Sequence, residues 1–232
     1  MDQTLKRWLC VFPALVSPSI AALGYIFLIH AGWGIRVLYC AQKSLAVFWP
    51  LLAGLWILRE VPRIQGRPNQ DDLRALPLGA LLGLLAGTGI LLGYWFSPLG
   101  PIVNLSAAVI RAKLTQAGIL EHMVPFAVVM SLLHSALEEY QWRWFVYGNL
   151  KKLLKPFWAR QLAAWSFASH HFIILFFYFP PWAALLGGCG VVIAGLAWQG
   201  MMEGQRSLAG AWLSHALVDG AIFAVALQIL RH

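Results

Sequence analysis

Long apolar segments follow one another along this chain, and they constrain its fold more than any other feature. Each is close to the roughly 20 residues that a helix needs to cross the hydrocarbon core of a bilayer. A spanning segment must pair its own backbone amides, as a helix does. Charged residues make up 11% of the 232 residues, whereas about 25% is usual in soluble domains. We therefore predict an all-α, polytopic transmembrane helical bundle, and exclude a soluble enzyme, a disordered chain and a nucleic-acid-binding domain.

About seven segments are predicted to span the membrane. They are Trp8–His30, Ser44–Leu58, Leu76–Phe96, Met123–Tyr147, Gln161–Phe179, Trp182–Gln199 and Leu208–Leu230. The second is short, and it extends back through Val37–Ala41 if Lys43 snorkels or faces protein. The segment Ile102–Leu120 carries Arg111 and Lys113 and predicts one extra interfacial helix. Residues 1–232 are interpreted as a single integral membrane domain.

The distribution of Lys and Arg predicts the orientation of the bundle. With the amino terminus in the cytoplasm, the inside segments hold 11 of these residues and the outside segments hold 5, the latter including Arg36 and Lys43. Cytoplasmic loops carry the excess of Lys and Arg in membrane proteins. The arginine-rich loop Arg59–Ala75 is therefore predicted to be cytoplasmic, and the net charge of +8 needs no nucleic-acid partner to explain it.

Ionisable residues are concentrated in the fourth, fifth and seventh predicted spans. An Asp or Arg at the centre of a spanning helix costs about 2.5–3.5 kcal/mol, so such residues mark functional sites by default. The set is His134, Glu138, Glu139, Arg143, His170, His171, His215 and Asp219.

Helical phase separates the two neighbouring glutamates of the fourth span. Glu139 and Arg143 are four residues apart and share a face, where they can neutralise each other. Glu138 points about 100° away, because each helical residue turns by that angle. Its own face carries His134 and Trp142 and no Arg or Lys. Glu138 is therefore the candidate general base or acid.

The fifth and seventh spans supply histidines. His170 and His171 are adjacent and point about 100° apart, so we expect only one of them to face the same cavity directly. His215 and Asp219 are four residues apart on one face. A carboxylate beside an imidazole fixes its tautomer, so Asp219 is expected to hold His215.

Three short motifs carry these residues. Glu138–Arg143 has the pattern E-E-x-x-x-R, Phe167–His171 has F-x-x-x-H, and His215–Asp219 has H-x-x-x-(N/D). In this order on late membrane helices, they resemble the CAAX protease and bacteriocin-processing family of intramembrane glutamic proteases. The resemblance covers about Met123–Leu230, and the first half of the chain is similar only in being membrane-embedded.

The resemblance implies a role for each motif residue. It implies that Glu138 activates a water molecule with the help of His171, and that Glu139 and Arg143 support the site. It also implies that the third motif stabilises the oxyanion of the intermediate. Many members have Asn at the position of Asp219, and an ionised Asp accepts hydrogen bonds without donating any. We therefore assign Asp219 to orienting His215, and the donor role to His215. His170 and His134 are possible further members of the site.

Other interpretations of the same residues remain open. Glu138, His171 and His215 match the ligand set of a zinc-dependent CAAX-type metalloprotease, although the chain has no H-E-x-x-H motif. We predict no metal and no cofactor. A non-catalytic scaffold or immunity protein, or a proton-coupled carrier, would use the same groups as a structural cluster or proton relay.

The resemblance also implies the partners and the location. The expected substrate is a membrane protein or a lipidated peptide, such as a prenylated CAAX tail or a bacteriocin-type leader. The lipid bilayer is the other expected partner, and no nucleic acid is expected. The expected location is a bacterial inner (plasma) membrane, with the amino terminus cytoplasmic. No oligomeric state is predicted.

Overall fold

The structure is a computed structural model, and it describes residues 2–27, 32–60 and 69–231. Within these ranges the chain is almost entirely helical and has no strand, which confirms the predicted fold class. The helices are α1 (Gln3–Phe27), α2 (Gly32–Leu52, continued by Ala53–Leu58), α3 (Gln70–Phe96), α4 (Leu99–Leu105), α5 (Ala107–Gln116), α6 (Leu120–Leu150), α7 (Pro156–Tyr178), α8 (Pro181–Gln205) and α9 (Ala209–Ile229).

Six of the described helices are long and apolar enough to cross a membrane, namely α1, α2, α3, α6, α8 and α9. The predicted number of about seven is close to this. The predicted fifth span corresponds to α7, which has 23 residues and carries His170 and His171; it is not among these six. The short helices α4 and α5 follow α3 where an extra interfacial helix is predicted.

The second span begins earlier than predicted. α2 starts at Gly32 rather than at Ser44, so Arg36 and Lys43 lie within a helix and not in an outside loop. The end of the first predicted span at His30 and residues 61–68 of the predicted loop, including Arg63, lie outside the described residues.

Three glycines bring α3 and α9 close together. Gly79, Gly83 and Gly87 recur every fourth residue on one face of α3. A Cβ atom added at Gly83 would lie 2.8 Å from the Cα of Ser214 and 2.9 Å from the Cβ of Leu217. Small residues at this spacing let membrane helices approach backbone to backbone. The glycine face of α3 therefore sets the position of the part of α9 that carries His215.

The turns of α6 are not uniform. The segments Met123–Val129 and Ser135–Glu139 are α-helical, whereas Met130–His134 and Tyr140–Tyr147 are π-helical. A π-helical turn closes its hydrogen bonds over one more residue than an α-helical turn, and such turns are frequent at functional sites. The first glutamate motif begins in an α-helical turn and ends in a π-helical one.

An ion-pair network joins the amino-terminal part of α1 to distant segments. The guanidinium of Arg7 donates to Glu60 at 2.6 Å and to Asn149 at 2.6 Å. The ammonium of Lys152 lies 2.8 Å from the same Glu60 carboxylate. The hydrogen bond from Arg7 lowers the pKa of Glu60 to about 2. The network therefore ties α1, the end of α2 and the end of α6 together on the predicted cytoplasmic side.

Candidate active site

The carboxylate of Glu138 lies at the centre of the polar cluster and is 5% exposed. The Nε2 atom of His134 lies 3.1 Å from Glu138 Oε1, and that of His170 lies 3.7 Å from the same oxygen. The Nε2 atom of His215 lies 3.7 Å from Glu138 Oε2. Residues of α6, α7 and α9 therefore meet around one carboxylate.

Both histidines of α7 approach Glu138, whereas their separation of about 100° on the helix predicts that only one does so. Ligand atoms of Glu138, His170 and His171 all lie within 4.8 Å of one another. The imidazole rings extend several ångströms from the helix, so two adjacent side chains can converge on one carboxylate. The Nδ1 atom of His171 lies 3.1 Å from the carbonyl oxygen of Phe167. A carbonyl oxygen only accepts, so this contact puts the proton on Nδ1 and leaves Nε2 of His171 as an acceptor.

Glu139 pairs with Arg143, as the helical phase predicts. Glu139 Oε1 lies 3.1 Å from the Nη1 atom of Arg143, and both side chains are 1% exposed. Glu139 also reaches across to α9, where its Oε1 lies 2.8 Å from the Nδ1 atom of His215. A carboxylate only accepts, so His215 donates from Nδ1 in this contact. Glu139 therefore connects the first motif to the third.

The hydrogen bond that orients His215 comes from Glu139 rather than from Asp219. Asp219 Oδ1 lies 3.7 Å from His215 Nε2, which is too long for a hydrogen bond. The expectation that Asp219 fixes the tautomer of His215 is therefore corrected. The physical reason is that the Nδ1 atom of His215 donates its hydrogen bond to Glu139. Asp219 instead faces the same imidazole nitrogen that faces Glu138.

Aromatic rings enclose the cluster. The ring of Phe167 contacts the guanidinium of Arg143, with 4.4 Å from the Cζ atom to the ring centroid. The centroid of the same ring lies 4.9 Å from that of His171 and 6.0 Å from that of His215. Trp198 stacks on His215 with a centroid distance of 4.2 Å. Phe167 of the second motif therefore contacts residues of all three motifs.

Lys43 of α2 is a member of the cluster that the sequence analysis did not include. Its Nζ atom lies 3.9 Å from Glu138 Oε1, and its side chain is 18% exposed. Glu138 therefore has a basic partner, which belongs to another helix. The available signal was that a lysine within an apolar segment marks a functional site.

Three of the clustered side chains have the composition of a metal site. Glu138, His170 and His171 would supply one carboxylate and two imidazoles, a set that zinc accepts. The zinc interpretation of the sequence used His215 in place of His170. Within the described residues, the group that lies within 4.8 Å does not include His215, because Glu139 holds His215 on the other side of Glu138.

Comparison with known proteins identifies the region that carries the motifs. Residues 120–221 match the family model described as type II CAAX prenyl endopeptidase Rce1-like, and this range contains all three motifs. The match confirms the resemblance to the CAAX protease family and the prediction of a peptidase. The comparisons with curated proteins and with solved structures found no match.

Proposed function

We propose that the chain is an intramembrane glutamic-type endopeptidase, in which Glu138 activates the water that hydrolyses a peptide bond. The observation that carries this proposal is the buried carboxylate of Glu138, surrounded by histidines from α6, α7 and α9. A carboxylate and imidazoles at hydrogen-bonding range of one water molecule are the groups that general base catalysis needs.

The first step is the addition of water to the scissile carbonyl. One proton of the water is held by Nε2 of His171, the acceptor that the Phe167 contact leaves free. The other proton passes to the Glu138 carboxylate while the water oxygen attacks the carbonyl carbon. The carbonyl π electrons move to its oxygen, which becomes the oxyanion. When the intermediate collapses, the C–N bond breaks and Glu138 returns its proton to the leaving amine.

Glu139 and Arg143 support the site without contacting the water. Glu139 holds His215 through Nδ1, so that Nε2 faces Glu138 and Asp219. Protonation of Nε2 turns it into a donor that can reach an oxyanion beside Glu138. Arg143 balances the charge of Glu139 at 3.1 Å. In this assignment His215 is catalytic and Glu139 and Arg143 are positioning residues, whereas the carboxyl group of Asp219 lies 3.7 Å from Nε2 of His215.

The proposed substrate is the tail of a membrane-associated protein that carries a prenylated CAAX sequence. The description of the matching family names a prenyl endopeptidase, and a prenyl group would partition into the bilayer beside the helices. A bacteriocin-type leader peptide is the other substrate class within the resemblance. Residues 123–230 would form the catalytic half of a single membrane domain in a bacterial inner membrane.

The test of this function compares two Glu→Gln variants of α6. Purified wild type should cleave a farnesylated C-a-a-X peptide, and Glu138→Gln should abolish cleavage while leaving the unfolding temperature nearly unchanged. Glu121→Gln makes the same chemical change at an exposed position at the start of α6 and should keep full activity. Cleavage by Glu138→Gln at the wild-type rate would refute the assignment of the base.

A zinc-dependent mechanism is the second candidate, and the convergence of Glu138, His170 and His171 favours it. Metal analysis of active, purified protein separates the two. We expect no stoichiometric metal and no effect of a chelator on turnover. One tightly bound zinc per chain, with activity lost in chelator and recovered on adding zinc, would establish the metalloprotease.

The proposed orientation places the amino terminus in the cytoplasm. It is tested by single cysteines at opposite ends of the chain, Asp2→Cys and Arg231→Cys, in a background without Cys10, Cys40 and Cys189. A membrane-impermeant thiol reagent should label only Arg231→Cys in intact cells. Labelling of Asp2→Cys in intact cells would show that the amino terminus lies outside and that the proposed orientation is wrong.

A further inference from the structure

The site as assigned lacks a permanent donor for the oxyanion. Asp219 accepts hydrogen bonds when ionised and donates none. His215 gives its Nδ1 proton to Glu139 at 2.8 Å, so its Nε2 carries a lone pair unless the ring gains a second proton. An oxyanion donor has to be in place before charge develops on the carbonyl oxygen.

Lys43 has the chemistry and the position of such a donor. Its ammonium carries three N–H groups and accepts nothing. It lies 3.9 Å from Glu138 Oε1 and interacts electrostatically with both Glu138 and Asp219. A separation of 3.9 Å leaves room for one oxygen atom in hydrogen-bonding contact, at about 2.8 Å, with both groups. The water that Glu138 activates can therefore lie between the two groups. Because this water bonds to the carbonyl carbon, the carbonyl oxygen ends on the same carbon and lies within reach of the Lys43 ammonium.

The other cation of the cluster is not available for this role. Arg143 is 1% exposed, is bound to Glu139, and lies against the faces of Phe167 and Trp198. Lys43 belongs to α2 and approaches Glu138 from outside the three motif helices. Its side chain is 18% exposed, so it is more accessible to a bound peptide than Arg143 is.

Resting on the proposed function, we propose that Lys43 stabilises the oxyanion of the tetrahedral intermediate, in place of the amide that Asp219 lacks. As the water oxygen bonds to the carbonyl carbon, the π electron pair moves to the carbonyl oxygen, and the ammonium of Lys43 donates a hydrogen bond to the resulting oxyanion. Lys43 keeps its proton, because the leaving amine is protonated by Glu138. Lys43 is thus a catalytic residue supplied by the part of the chain outside the matched family region.

The first test is the variant Lys43→Met, assayed with the farnesylated C-a-a-X peptide. Loss of one oxyanion donor lowers kcat by about 10²–10³-fold, and KM should change little, because the donor acts on charge that develops only in the transition state. Lys43→Arg, which keeps a cationic donor, should retain more kcat than Lys43→Met. Lys113→Met, the same change on helix α5, should leave kcat and KM unchanged.

A second pair of variants separates donation from simple charge balance. In the Lys43→Met background, Asp219→Asn and Asp219→Leu both remove the carboxylate, and only the amide offers an N–H donor. We expect Lys43→Met with Asp219→Asn to recover at least about tenfold in kcat, the equivalent of one moderate hydrogen bond, and Lys43→Met with Asp219→Leu to recover none. Unfolding temperatures of all variants show whether each protein is folded.

The outcomes distinguish this proposal from the proposed function. If Glu138→Gln is inactive and Lys43→Met keeps the wild-type kcat, Lys43 is not the donor and the glutamic mechanism stands. Equal recovery with Asp219→Asn and Asp219→Leu would mean that Lys43 only balances charge. If Glu138→Gln is active, or if the wild type cleaves neither the farnesylated peptide nor a bacteriocin-type leader peptide, the proposed function fails and the assignment of Lys43 fails with it.

Discussion

The buried pair of Glu139 and Arg143 allows the support role to be measured apart from catalysis. Both side chains are 1% exposed and their charged atoms are 3.1 Å apart. At an effective dielectric constant of about 20, Coulomb's law gives an attraction of about 5 kcal/mol at this distance. Removing one partner of a buried pair typically costs about 3–5 kcal/mol, because the other charge is left uncompensated.

The two single variants are expected to differ. Glu139→Gln leaves the guanidinium of Arg143 buried without an anion, although the amide oxygen can still accept from His215. It should cost about 3–5 kcal/mol. Arg143→Met leaves Glu139 with His215, which can take up a proton and supply the missing positive charge. It should therefore cost less, about 1–3 kcal/mol.

The double variant Glu139→Gln with Arg143→Met completes the cycle. Because the pair is removed as a unit, the double variant should lose less free energy of unfolding than the two single variants lose together, by at least about 2 kcal/mol. The assay is thermal unfolding in detergent, followed by tryptophan fluorescence, for which the chain has 12 tryptophans. At about 2–4 °C per kcal/mol, the Glu139→Gln variant should unfold about 6–20 °C below the wild type.

Two results would refute this reasoning. If the two single effects add within about 0.5 kcal/mol, the residues are not coupled. If Glu138→Gln rather than Glu139→Gln couples to Arg143, the roles of base and support are reversed. Turnover of the farnesylated peptide by the same proteins gives the second readout. The double variant should keep more activity than Glu138→Gln, because its base is intact.

Two further predictions follow from packing and charge. Gly83→Ala places a methyl group 2.8 Å from the Cα of Ser214, so overpacking should lower the free energy of unfolding by about 1–3 kcal/mol and lower kcat. The control is Gly89→Ala on the same helix, where nothing lies within 4 Å of the added atom, and it should raise the unfolding temperature slightly. Equal effects of the two variants would count against a close contact between α3 and α9. The hydrogen bond from Arg7 is the main reason that the pKa of Glu60 is lowered to about 2, so the ionised Glu60 carboxylate stabilises the fold above about pH 4.5. This stabilisation should be lost as the pH falls from 4.5 towards 2. If the wild type and Glu60→Gln lose stability equally over this interval, the prediction is wrong.

The spacing of residues along one helix is sufficient to predict the contacts within α6, and it is insufficient to predict the contacts between helices. It correctly paired Glu139 with Arg143 and placed His134 beside Glu138, because residues four apart share a face. It could not show that His215 bonds to Glu139, nor that Lys43 faces Glu138. Those contacts depend on the rotation of each helix in the bundle, which packing determines.

The bounds of the helices are likewise predicted only in part. Hydrophobic runs located each span, because the thickness of the bilayer sets their length. α2 follows the longer of the two expectations for the second span, since it includes Val37–Ala41 and Lys43 faces the protein, and it begins a few residues earlier still, at Gly32. The π-helical turns of α6 were not predicted, since they follow from local packing rather than from composition.

The ring of Phe167 has a consequence for how such chains can diverge. Because this one side chain contacts Arg143, His171 and His215, the three motifs cannot change independently of one another. A chimera of two related sequences joined between residues 143 and 167 would pair an arginine from one parent with an aromatic ring from the other. Such a hybrid should be active only where both parents build this contact alike, so the motifs should be inherited together as one unit.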